Sequence, residues 1–387
     1  MEYFLTDEQK MIIELSNKVA VEKIAPVCAH YDETGDFPWE IVKVLAESDL
    51  TGIYIPEEYG GLGGGVFELC LAVEELSRVC GGISLCMAAT ALGTFPILLF
   101  GTQEQKKKYI PAIARGEKLA AFALTEANAG SDAAGIETTA KKEGNFYVLN
   151  GTKQWITNGG EAAVYTVVAM TDRKKGSRGA STFIVEKDTP GFSFGKKEDK
   201  MGIRASTTRE LVFDNCRIPK ENLLGKEGAG FIVAMKTLDQ SRPGVAAQAL
   251  GIAQGALDKA LEYSRQRVQF GKAISSFQAI QHMLADMATQ TEAARALVYA
   301  AARAIDSGAK DISKVSAMSK LFASDVAMKV TVDAVQVFGG YGYMREYPVE
   351  KMMRDAKITQ IYEGTNQIQR NVIALQLIKE TASKKKK

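Results

Sequence analysis

From Lys220 to Lys387 the chain contains only two prolines, Pro243 and Pro348, and this proline-poor stretch constrains the fold more than any other feature. A proline inside a helix removes a backbone hydrogen bond and clashes with the preceding turn, so its scarcity leaves room for long helices. The stretch is also rich in Ala, Leu, Met, Gln and Lys, which lose little side-chain freedom in a helix. The pattern predicts helices over Ala246–Arg265, Gln278–Asp306 and Asp311–Phe338, and a last one from about Asn366 to Glu380. Helices of that length are expected to bundle.

Ahead of it, from Ala121 to Pro219, the period changes. Phe146 to Leu149 and Thr152 to Ile156 flank Asn150-Gly151, which reads as a β-hairpin turn. Val164 to Ala169, Ser181 to Glu186 and Glu210 to Phe213 are rich in β-branched and aromatic residues. Turn clusters, Asp172 to Gly179 and Thr189-Pro-Gly191, separate them. Short strands without intervening helices predict a small antiparallel barrel or sandwich.

The first region, up to about Ala120, reads as mostly helical. Thr6 and Gln9 form a capping-box pattern ahead of Met11, Ile12, Leu15 and Val19, and Pro26 closes that helix. Glu57 to Gly65 is a loop, Val66 to Val79 resumes a helix, and Gln103 to Ala114 adds a helix broken by Pro111. No stretch reads as the ~20 apolar residues a membrane span needs. No secretory signal is visible at the start, and the expectation is a cytoplasmic protein.

With 48 basic and 46 acidic side chains among 387 residues, the charge gives no general pull toward nucleic acid or anionic membrane. The run Ser383 to Lys387 reads as a solvated tail. Only His30 and His282 are present, which argues against a histidine-rich metal site, and no metal is expected. Both histidines read as non-catalytic. Five cysteines without a CxxC pair suggest reduced, mostly buried thiols.

Familiar chemical signatures fail to appear. Gly61/Gly63 and Gly340/Gly342 lack the third glycine of a dinucleotide-binding turn, because Val66 and Arg345 stand there. The P-loop, HExxH and GxSxG patterns are missing as well. What remains are polar motifs at breaks between elements. Leu124-Thr-Glu-Ala-Asn-Ala-Gly-Ser-Asp132 lies at the α-to-β junction, where turn amides can bind an anion or act only as a capped turn. Trp155-Ile-Thr-Asn-Gly-Gly160 ends a strand and could cover a flat cofactor or simply pack. Arg267-Val-Gln-Phe-Gly271 and Gln336-Val-Phe-Gly-Gly340 end helices, where arginine can meet phosphate and glycine can simply cap. Ile361-Tyr-Glu-Gly-Thr365 leaves Glu363 in a helical break, as a candidate general base or a solvent-facing carboxylate.

Taken together, these motifs, with Arg354-Asp-Ala-Lys-Ile-Thr-Gln-Ile-Tyr-Glu-Gly-Thr365, closely resemble the acyl-CoA dehydrogenase family, especially its short-chain, butyryl-CoA type. The likeness runs from the first helix to Glu380. One departure is Ala127, where the family usually has proline.

The resemblance implies an α+β chain: an N-terminal helical domain (1–120), a middle antiparallel β barrel or sandwich (121–229) and a C-terminal four-helix bundle (230–387). It implies FAD, with Phe122, Leu124, Thr125, Gly130 and Ser131 along the isoalloxazine edge, Trp155 packed on the flavin and Thr157 near its reactive nitrogen. Arg267, Phe270, Gln278, Gln336, Phe338, Gly339 and Gly340 match positions that hold the ADP half across a subunit boundary, completed by Thr365 and Gln367. Ser131 and Asp239 to Arg242 match contacts to CoA, and Glu363 with Gly364 faces the acyl group. The partners implied are an acyl-CoA, an electron-transferring flavoprotein and further copies of the chain in a homotetramer, a dimer of dimers.

In that family Glu363 takes the α-proton while the β-hydride passes to the flavin, giving a trans-2-enoyl-CoA. A second family pattern puts the base where Ser241 stands, which lacks a carboxylate. The acyl-wall segment Leu85 to Thr94 has small and apolar residues and no arginine, so a neutral acyl group is expected, butyryl-CoA first. A branched or alicyclic acyl-CoA such as the cyclohexanecarboxyl type stays open. From another class, so do a flavin oxidase and a DNA-associated member of the fold.

Overall fold

The computed structural model describes residues 3–384. Helices α1 (Asp7–Val19), α2 (Cys28–Thr34), α3 (Trp39–Glu47), α4 (Val66–Val79), α5 (Gly81–Phe100) and α6 (Gln103–Ala114) come first. Strands β1 (Ala120–Ala123), β2 (Thr139–Glu143), β3 (Phe146–Thr157), β4 (Val164–Met170), β5 (Ala180–Glu186), β6 (Phe192–Lys197), β7 (Thr208–Pro219) and β8 (Leu223–Leu224) follow. The chain then returns to helix in α7 (Gly230–Gln266), α8 (Gln278–Asp306), α9 (Ile312–Phe338), α10 (Pro348–Thr359) and α11 (Asn366–Lys384). This is the α+β class, with the order α, β, α expected from the sequence. Of the Lys run at the end, Lys385 to Lys387 lie outside the described residues.

The capping box at Thr6 is present: its hydroxyl accepts from Gln9 N, and the Gln9 side chain accepts from Thr6 N. Pro111 does not break its helix, since α6 runs through it to Ala114. It stands in the last turn, where only one backbone bond is forgone. Pro243 likewise lies inside α7, which starts at Gly230 and not at Ala246. Lacking an N–H, Pro243 cannot bond the Asp239 carbonyl four residues back. The Ser316 hydroxyl of α9 donates to that oxygen instead, at 2.7 Å.

The sheet order is β6-β7-β3-β2-β4-β5-β8, with β1 also on β4. Most pairs are antiparallel, but β1 and β2 each meet β4 in parallel, which short-strand patterning did not foresee. The expected hairpin at Asn150-Gly151 is not there: β3 passes straight through it. Leu149 faces Cys216 and Gly151 faces Phe213, so Asn150 stands opposite two residues of β7 in a bulge. Gly151 has φ 141°, and a β-carbon there would lie 2.7 Å from Thr138 Cα. Turns and bulges both demand such freedom, which is why the dipeptide misleads. The true hairpin turn is Gly144-Asn145, between Glu143 and its partner Phe146.

α5 corrects the membrane reading, because its 20 residues are long and apolar enough to cross a bilayer. Most of it is buried within the protein, against α7, β1 and α4. A helix apolar on all sides is what the centre of a large fold requires. α7 packs on both α9 and α4. Gly251 and Gly255 permit the second contact: a β-carbon at Gly255 would sit 2.0 Å from the Arg78 carbonyl oxygen.

Candidate active site

The ends of β1 and β3, the middle of α7, α5 and the link between α10 and α11 converge on one cavity of about 350 Å³. Its wall includes Phe122, Leu124, Thr125, Gly130, Ser131, Trp155, Thr157, Arg242, Glu363 and Gly364. Ten of the sequence-predicted site residues are thus brought together from four separate motifs.

Just after β1, the Leu124–Glu126 turn is stitched to β3. The buried Lys153 ammonium donates to the Leu124 carbonyl at 2.9 Å and to Glu126 Oε1 at 2.7 Å. Gln154 N donates to Thr125 O at 2.8 Å. Glu126 also accepts from the backbone N–H of Glu137 and Thr138. Burial would raise this carboxyl, but Lys153 and these donors together hold it below its ordinary range. Burial pulls Lys153 down to about 8 against the opposing charge of Glu126. The turn closes by paired backbone bonds between Glu126 and Ala129, so it forms with Ala127 in place of proline.

Trp155 has φ 57° at a second bulge of β3, and its side chain is 55% exposed. An indole held in a left-handed backbone conformation and left uncovered beside the cavity is a wall for a flat ligand.

Glu363 occupies the break between α10 and α11, with φ 51°, followed by Gly364 at φ 92°. Its Oε2 accepts from the Ser241 hydroxyl at 2.6 Å. Gln369 Nε2 holds both the Glu363 and Gly364 carbonyls, at 3.0 and 2.9 Å. Beneath them the buried Lys320 ammonium donates to Gly364 O at 2.8 Å and Asn366 Oδ1 at 2.9 Å. Among the described residues the Glu363 N–H has no acceptor. Burial raises the Glu363 pKa, partly offset by Ser241, Arg242 and Lys320. Burial also lowers Lys320, to about 7. Sequence reasoning missed Lys320, Lys153 and Gln369. Each is a polar residue inside an otherwise ordinary helix or strand, with no local pattern to mark it.

Arg242 is buried and 3.0 Å from Asp239 Oδ1, and its Nε lies 3.4 Å from the Glu363 carbonyl. Asp239 does not line the cavity; it is occupied by Arg242 and by the hydroxyl of Ser313.

A second cavity, about 550 Å³, is lined by Arg267, Phe338, Gly339, Gly340 and Tyr341. The Arg267 guanidinium lies 5.2 Å over the Tyr341 ring. Phe270 is 93% exposed nearby, and Gln278 and Gln336 are exposed on the helices that flank this end. Thr365 and the exposed Gln367 stand at the start of α11 and line neither cavity. Within one chain the two predicted halves of the cofactor site therefore line separate cavities. For FAD the chemistry of both fits: an uncovered indole, two hydroxyls and turn amides for a flavin ring, and an arginine with open glycine backbone for phosphates.

Families of known proteins match along nearly the whole chain. The acyl-CoA dehydrogenase N-terminal domain matches residues 6–117, the middle domain 121–216 and the C-terminal domain 228–378. The structure of butyryl-CoA dehydrogenase from Megasphaera elsdenii is 51% identical, covering 98% of this chain and 100% of that one, with a TM-score of 0.95. A chain from a study of the electron transferring flavoprotein of Acidaminococcus fermentans, and of flavin-based electron bifurcation, is 54% identical. It covers 97% of this chain and 99% of its own, with a TM-score of 0.96. An acyl-CoA dehydrogenase from Bacillus anthracis, solved in complex with FAD, is 38% identical over 98% of this chain and 69% of its own, with a TM-score of 0.92.

Proposed function

The chain belongs to the acyl-CoA dehydrogenase family, and we propose that it converts a short-chain acyl-CoA, butyryl-CoA, to the 2,3-enoyl-CoA with Glu363 as the base. FAD, when bound, supplies the acceptor for the hydride that leaves the β-carbon. One observation carries the reading: of the two carboxylates lining this largely apolar cavity, Asp132 is exposed to solvent, while Glu363 is set inside with Trp155 and the Leu124–Ser131 turn.

Removing a proton beside a thioester needs a base whose pKa is raised and a donor for the carbonyl oxygen. Burial raises Glu363, and its own free N–H is available to the thioester oxygen. The Ser241 hydroxyl fixes the carboxylate so that one oxygen stays open. Leu69, Leu85, Leu92 and Phe95 fill the apolar end and exclude water from the base. That end has no cation, which suits a neutral acyl group. Ala88, Ala89 and Gly244 are small residues there, set among large ones, which we read as suiting a short linear chain over a ring.

Ser131 and Arg242 would meet CoA, while Asp239 acts through Arg242. Arg267, Phe270, Gln278 and Gln336 to Gly340, with Thr365 and Gln367, would complete a partner subunit's FAD site. The separation of the two cavities supports a multi-subunit enzyme, a homotetramer. The three regions 1–120, 121–229 and 230–387 are read as its domains. An electron-transferring flavoprotein is the electron acceptor we favour, on the likeness to the Acidaminococcus chain, and a cytoplasmic location without a membrane span.

Anaerobic titration of the flavin with a panel of acyl-CoAs tests substrate choice. Butyryl-CoA should bleach it at lower concentration than octanoyl-CoA or cyclohexanecarboxyl-CoA. A clear preference for the ring substrate would replace butyryl-CoA with the alicyclic reading.

A further inference from the structure

Just outside the active-site cavity, four ionisable groups meet where α2, α4, α5 and α10 come together. Cys80 is the residue between α4 and α5 and serves as the N-cap of the 20-residue α5. The Lys351 ammonium of α10 lies 3.3 Å from Cys80 Sγ and 2.5 Å from Asp355 Oδ2. Cys28, at the start of α2, donates its thiol to the Val79 carbonyl at 3.7 Å, which sets it beside Cys80. Cys80 and Lys351 are buried, and Cys28 is only half-buried, so the pair opens toward solvent on the Cys28 side.

The other thiols differ. Burial pushes Cys70 and Cys86 far up and Cys216 up to about 11. Cys80 is brought down to about 6 by the neighbouring Cys28 thiol and the Lys351 ammonium, against its burial. Lys351 stays charged despite burial because Asp355 and Cys80 face it. A cation and a helix N-terminus favour a reactive thiolate.

We propose that Cys80 and Cys28 form a peroxide-reactive dithiol, with Cys80 as the nucleophile paired to Lys351 and Cys28 as the resolving thiol. The Cys80 thiolate attacks hydrogen peroxide; an S–O bond forms, the O–O bond breaks, and the departing hydroxide takes a proton from solvent and leaves as water. The Cys28 sulfur then attacks the Cys80 sulfenic acid. The S–O bond breaks, an S–S bond forms, and the Cys28 proton departs with the hydroxyl as a second water. Both thiols are oxidised and one peroxide is reduced. The site adjoins the active-site wall, since Asp355 also accepts from Ile203 N, and Ile203 packs with Leu85 and Ala89.

The test treats the holoenzyme with stepwise hydrogen peroxide and maps its peptides without reductant. A Cys28–Cys80 linked peptide should appear, lost on adding dithiothreitol, at peroxide levels about tenfold below those that oxidise Cys70, Cys86 or Cys216. In Cys28→Ser, Cys80 should instead be trapped by dimedone as sulfenic acid. Absence of the linked peptide from the wild-type enzyme, or oxidation of all five thiols in parallel, would overturn the proposal.

Discussion

At the scale of single residues, the neighbours of Glu363 disagree about its proton. Burial favours the acid, while the Ser241 hydroxyl, Arg242 and Lys320 favour the carboxylate. Since folding raises this pKa, the folded state holds the proton more tightly than the unfolded chain. Its contribution to stability is therefore present at low pH and lost as pH rises through the folded value. Ser241→Ala removes one of the donors that favours the carboxylate. The rising limb of the kcat/KM profile against pH should then move to higher pH, and an unmoved limb would show that Ser241 does not tune the base. Lys153 is the second pivotal residue, as Lys153→Met leaves the buried Glu126 charge without its cation. A loss of about 3–5 kcal/mol in urea unfolding is expected, with weaker retention of FAD as the Leu124–Glu126 turn loosens.

At the scale of elements, what the sequence made legible was periodicity and local capping. α4, α8 and the capping box of α1 follow their patterns residue for residue. The misreadings arose where a distant partner changed the meaning of a local signal. Asn150-Gly151 reads as a turn, yet β7 lies alongside and makes it a bulge. The sequence predicts a helix only from Ala246 onward, yet α7 runs through Pro243, where Ser316, far along the chain, takes the place of the missing N–H. Ser316→Ala should leave the buried Asp239 carbonyl short of a donor and cost about 1–3 kcal/mol in thermal or urea unfolding. No loss of stability would mean that the proline is accommodated by other means. Glu363 itself was legible only through its motif, since a lone loop carboxylate carries no pattern. The residues that hold it, Lys320 and Gln369, become visible only when α9 and α11 are seen to pack together.

At the scale of the whole molecule, the few cations that face the cavities carry the electrostatics, not an overall basic field. The near balance of charge, +2, is consistent with that economy. Arg267 sits at the second cavity, away from Glu363, so Arg267→Ala should weaken FAD retention without altering the pH profile of the bound enzyme. Flavin loss on dilution and gel filtration measures it; a profile that shifts along with retention would place Arg267 in the chemistry instead. The central claim is that Glu363 removes the proton while other groups bind FAD. Glu363→Gln keeps the shape and volume of the side chain and removes its basicity. Purified Glu363→Gln, titrated anaerobically with butyryl-CoA, should remain yellow with FAD at wild-type occupancy and show no bleaching of the flavin. Bleaching at the wild-type rate and extent would contradict the account.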